Sequence, residues 1–143
     1  MTGFFGGLRT NQASTHFDAE DRTLRGRTYA IPFENVWQAV VGLAGGGLRG
    51  WGLVSADDQK GRVVAMVRPG LLRPEVEIRL RVGLDENAQT RVDALATARS
   101  ERGDLGRSRR LLGSFFTRLD RRLGARADQI LDPRSLVEYG ATQ

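Results

Sequence analysis

Residues 76–98 read VEIRLRVGLDENAQTRVDALATA, and this stretch decides the fold. Val76, Ile78, Leu80, Val82 and Leu84 alternate with Glu77, Arg79, Arg81 and Gly83, the period of two that sends successive side chains to opposite faces of a strand. One face is apolar and the other charged. Asp85 to Gln89 forms a turn, and a second strand runs from Thr90 to about Arg99. A symmetric turn that sets Leu84 opposite Thr90 fixes the register by counting. The inner face then pairs Val82 with Val92, Leu80 with Ala94, Ile78 with Ala96 and Val76 with Ala98. The outer face pairs Arg81 with Asp93 and Glu75 with Arg99. Three alanines in succession leave a trough across the inner face of this hairpin.

The filler for that trough lies just downstream. Over residues 105–123, at 100° per residue, Leu105, Leu112, Phe115, Phe116, Leu119 and Leu123 share one broad face of a helix. Arg107, Arg110, Arg118 and Arg121 line the opposite face. The apolar side therefore packs on the sheet, with Phe115 and Phe116 over the alanines. Between Arg99 and Arg126 nine arginines face three acids, a local balance of +6 against +5 for the whole chain. The basic charge is concentrated on this helix, and the remainder is close to neutral.

Upstream, Thr28 to Ile31 read as a short strand. Pro32 supplies a φ suited to a helix start, and Val36, Trp37, Val40, Val41 and Ala44 recur at helical spacing. Gly45, Gly46 and Gly47 end that helix. Trp51 to Ala56 and Arg62 to Arg68 read as strands joined by the turn-rich Asp57-Asp58-Gln59-Lys60-Gly61. The order is β-α-β-β-β-β-α. An α+β domain with an antiparallel sheet of about five strands, gripped by a long C-terminal amphipathic helix, is expected over residues 27–124. Residues 1–26 and 125–143 lack periodicity and read as N- and C-terminal arms.

With 143 residues the chain suits one domain with a substantial core. It has no cysteine, which removes thiolate chemistry, disulfides and cysteine metal sites and fits a reducing compartment. No apolar run approaches a membrane span, and the N-terminus lacks the pattern of a signal peptide. A cytoplasmic protein is expected, in one version peripheral to the inner membrane.

The junction Ser100-Glu101-Arg102-Gly103-Asp104-Leu105-Gly106-Arg107-Ser108-Arg109-Arg110-Leu111 resembles that of the family catalogued as domain of unknown function 1499, over about Tyr29 to Leu123. Gly103, Asp104, Leu105, Gly106 and Arg110 match its pattern of a glycine, an Asp-Leu-Gly step and a basic amphipathic helix. The spacer before the aspartate is shorter here, and Ser108 stands where an asparagine is common. The resemblance implies a small α+β fold and no activity. Physically, Asp104 reads as a helix cap contributing about 1 kcal/mol.

Candidate chemistry is sparse. His16 is the only histidine and lies in the N-terminal arm. Asp57 and Asp58 are adjacent in a turn, where aspartate bonds the backbone. The glycines from Gly45 to Gly50 follow a helix, the reverse of the order a phosphate-binding loop requires. No catalytic constellation, metal site or cofactor motif is visible, so a non-enzymatic role is expected. The strongest candidates are partner-binding: Arg107, Arg110, Arg118 and Arg121 on the helix, Phe4, Phe5 and Leu8 in one arm, Leu136 and Tyr139 in the other. They suit an acidic protein surface or a larger assembly, including a membrane complex. Nucleic acid is disfavoured because no aromatics interleave with the arginines. The alternative is a carrier or sensor holding an apolar ligand between sheet and helix, near Trp37, Trp51, Phe115 and Phe116.

Overall fold

The computed structural model describes residues 26–69, 75–98 and 105–131, together with the backbone of residues 12–14. Its strands are β1 (Gln12–Ser14), β2 (Arg27–Tyr29), β3 (Trp51–Asp57), β4 (Arg62–Val67), β5 (Val76–Leu84), β6 (Thr90–Ala98) and β7 (Ile130–Leu131). Its helices are α1 (Phe33–Gly42) and α2 (Leu105–Leu123). The fold is α+β, and every strand pairing is antiparallel. Sheet order is β3-β4-β5-β6-β2-β7, with β1 also pairing β6. Because β1 bonds Leu95 to Thr97 of β6 and β2 bonds Thr90 to Val92, the two short strands share one edge of β6 end to end.

The expected hairpin forms in the expected register. Leu84 faces Thr90, Val82 faces Val92, Leu80 faces Ala94, Ile78 faces Ala96 and Val76 faces Ala98. Asp85 fixes that register, since one carboxylate oxygen accepts the backbone N–H groups of Asn87 and Gln89, each at 2.9 Å. The partner Arg99 of the expected Glu75 pair lies outside the described residues. Arg81 stands opposite Asp93, yet the carboxylate of Asp93 is bonded at 2.8 Å by Arg91 of its own strand. A residue two positions along a strand lies on the same face, close enough for a long guanidinium to bridge it.

Among the described residues the sheet has seven strands, against about five expected. Gln12–Ser14 lies in the stretch read as an N-terminal arm, and Ile130–Leu131 in the C-terminal one. Neither segment is long enough to show a period of two. The first strand of the domain also ends early, at Tyr29, because the chain turns at Ala30 and Ile31 to enter α1. Pro32, extended at φ −57° and ψ 145°, caps that helix, and its carbonyl accepts from Asn35 and Val36. At the far end the helix passes into a π-type turn over Leu43–Gly47, closed by the Leu48 N–H on the Leu43 carbonyl at 3.0 Å. Gly46 sits there at φ +132°, a conformation that side-chain-bearing residues rarely take.

The core lies between the sheet and the two helices. Val63, Ala65, Ile78, Val92, Ala94 and Ala96 form its sheet side with no exposed surface. Val36, Val40, Leu112, Phe115, Phe116 and Leu119 close it from the helices, also fully buried. α2 ends in a Schellman arrangement: Gly124 at φ +59° donates to the Arg121 carbonyl and Ala125 to that of Asp120, each at 3.0 Å. At the opposite margin β3 is an edge strand, exposed from Gly52 to Asp57, with a bulge between Leu53 and Ser55. A bulge twists an edge away from regular pairing.

Candidate functional site: the outer face of α2 and its flanks

The alternation of apolar and basic residues on α2 splits it cleanly along most of its length. Leu112, Phe115, Phe116 and Leu119 have no exposed surface, while Arg110, Arg118 and Arg121 are exposed. Phe115 stacks on Trp51 with ring centroids 5.6 Å apart, and meets Phe116 edge-on at 5.3 Å. α2 lies against β6, and Ala94, Ala96 and Ala98 of that strand are buried in the same core as Phe115 and Phe116.

Arg107 departs from the expected row. It is only 8% exposed, and its Nη2 donates to the carbonyl of Arg68 at 3.4 Å. Helical side chains lean toward the helix N-terminus, and the end of β4 lies within reach of that first turn. Angular position alone could not reveal this neighbour. The exposed row therefore runs from Arg110 to Arg121, about 16 Å at a rise of about 1.5 Å per residue. Arg27, Arg79, Arg91 and Arg126 each pair with a carboxylate. Among the described residues, no ion pair engages Arg110, Arg118 or Arg121.

The candidate pocket residues are core residues. Trp37 is 8% and Trp51 9% exposed, and Trp37 stacks on Phe33 at 6.0 Å. A ligand between sheet and helix at Trp51 would have to displace the stacked Phe115. Phe4, Phe5, Leu8, Leu136 and Tyr139 lie outside the described residues, as do His16, Gly103 and Asp104.

Two features escaped the sequence reading. The first ties β2 to α2. The hydroxyl of Tyr29 donates to Asp120 Oδ1 at 2.6 Å, Arg27 Nε pairs with the same carboxylate at 3.3 Å, and the Arg27 guanidinium sits 5.3 Å from the centre of the Phe116 ring. Burial, and then the Asp120 carboxylate, push the Tyr29 phenol well above its ordinary range. Its proton is held, so the cluster acts as a latch and not as a source of phenolate. The available signal was Asp120 itself, one helical turn after Phe116, at the border of the apolar face. The second is Ser108, fully buried with a hydroxyl that has no hydrogen-bond partner among the described residues. It precedes Leu112, Phe115 and Leu119 by four, seven and eleven residues, a continuous helical stripe in which only its polarity hid it.

An open cleft of about 340 Å³ lies between α1 and the last turn of α2. Asn35, Gln38 and Arg122 supply its polar wall, and Ile31, Ala39 and Leu123 the apolar remainder. Among the described residues, no cluster of three or more metal-ligating side chains occurs, and no helix is long and apolar enough to cross a membrane. The chain matches no known family model and no curated protein.

Proposed function

We propose that this chain is a non-enzymatic interaction domain that docks through the outer face of α2 onto an acidic protein surface. One observation carries the reading: α2 commits its apolar face to the sheet, while Arg110, Arg118 and Arg121 point outward with no ion-pair partner among the described residues. Rows of like charge steer association with an oppositely charged surface and fix its register. Insertion of α2 into a lipid bilayer would instead require unpacking Phe115 and Phe116 from the core.

In this reading the chain is an accessory subunit of a larger assembly, with the cytoplasmic side of a membrane complex as the setting. Phe4, Phe5 and Leu8 at one end and Leu136 and Tyr139 at the other are further anchors. The helix-grip likeness and the resemblance to domain of unknown function 1499 belong to the same reading and add no activity. The test is co-purification from native cells with Arg110, Arg118 and Arg121 all changed to Glu. Loss of the associated proteins is expected, with the fold intact by circular dichroism. Unchanged association removes the arginine face from the proposal, and deletion of residues 1–12 tests the N-terminal arm separately.

A further inference from the structure

We propose that the cleft between α1 and the end of α2 binds a small organic carboxylate, with Arg122 as its cationic anchor. The inference is independent of the docking face, because it concerns a cleft lined by Arg122 and by none of Arg110, Arg118 and Arg121. Arg122 is exposed, and its guanidinium lies along the end of α1. A β-carbon on Gly42 would lie 2.7 Å from its Nη2, and one on Gly47 3.0 Å from its Nη1, so the guanidinium rests close to the backbone of these two glycines. The carbonyl-rich end of α1 favours a cation at that place. Among the described residues no ion pair engages Arg122.

The rest of the cleft fits the same ligand class. Asn35 and Gln38 stand one turn apart on α1 and line the same cleft as Arg122, and their side-chain amides are able to donate to a carboxylate. Ile31, Ala39 and Leu123 give an apolar floor. A planar guanidinium favours a bidentate carboxylate, amides complete its oxygen shell, and the floor accepts a short hydrocarbon tail. Glu34 already takes a hydrogen bond from Gln38 at 3.4 Å, so an incoming carboxylate competes with it. That competition and the open shape set the expected dissociation constant on the order of 1 mM.

The experiment is a two-dimensional amide NMR titration of the full chain with sodium pentanoate, and in parallel with pentanamide and with sodium sulfate. Saturable shifts at Asn35, Gln38 and Ala39 are expected with pentanoate; pentanamide is expected to bind at least about tenfold more weakly, for loss of the charge-assisted pair, and sulfate also at least about tenfold more weakly, for loss of the hydrocarbon tail that the apolar floor would bury. Arg122→Gln should reproduce the loss, and Arg122→Lys, which keeps the charge without the fork, should weaken binding several-fold. Absence of saturation by about 50 mM pentanoate, far above the expected constant, overturns the proposal. Equal binding of pentanamide or of sulfate, or undiminished binding in Arg122→Gln, also overturns it. Should Arg122→Gln fail to fold, the comparison of the three ligands on the unmodified chain decides.

Discussion

Removing the hydroxyl of Tyr29 is the sharpest perturbation the structure offers. The phenol is fully buried and donates at 2.6 Å to Asp120, whose side chain is 23% exposed. A hydrogen bond to a charged group contributes about 1.5–3 kcal/mol. In Tyr29→Phe the carboxylate keeps Arg27 and its contact with water, so the loss should fall at the low end, about 1.5 kcal/mol. Asp120→Ala strands the buried phenol and also frees Arg27, and should cost about 2–3 kcal/mol. Urea denaturation of both single variants and the double variant gives the coupling, expected near 1.5 kcal/mol for groups in direct contact. A coupling below about 0.5 kcal/mol, the level at which independent sites already add, would refute the latch. The pH dependence gives a second reading of the same contact. The folded phenol holds its proton to higher pH than the unfolded one, which titrates near about 10. The stabilisation is therefore complete below about pH 10 and declines above it, by up to about 1.4 kcal/mol per pH unit. Tyr29→Phe lacks this dependence, so the two denaturation curves should converge as pH rises from 9 toward 11. Curves that stay parallel across that range contradict the reasoning.

Ser108→Ala should raise stability by about 1 kcal/mol, because it removes a buried hydroxyl that has no partner among the described residues, and a lower urea midpoint would mean that the hydroxyl is bonded after all. Gly61→Ala should destabilise by at least about 1–2 kcal/mol: Gly61 is at φ +67°, and a β-carbon there would collide with the Val82 carbonyl, so an unchanged melting temperature is incompatible with this turn. Phe115→Ala should cost about 3–5 kcal/mol through the cavity left beneath Trp51, with a loss under about 1 kcal/mol showing that the ring does not fill the trough. Arg110→Glu, Arg118→Glu and Arg121→Glu should each change stability by less than about 0.5 kcal/mol as exposed substitutions, and a large loss would reassign that residue to the fold.

Strong local periodicity made the central hairpin and α2 legible. Nine-residue strands with an alternating face and a turn pinned by Asp85 leave one register, since a slip by one residue would expose every inner side chain. The two-residue strand Ile130–Leu131 has no such signal, and it exists because Thr28 and Tyr29 offer an open edge to pair. The same division runs through the candidate site. The outward direction of Arg110, Arg118 and Arg121 follows from a period of 3.6, which acts along one helix. The turning-in of Arg107 depends on the end of β4, 39 residues away.

The order of the main elements, the hairpin register, the apolar face of α2 and the location of the positive charge were determined by the sequence alone, because each depends on neighbours within one strand, hairpin or helix. Only the tertiary structure brought Tyr29 to Asp120, Arg122 to Gly42 and Gly47, and Ser108 into the core. Those contacts join residues from separate elements, and no local period encodes which element will lie against which.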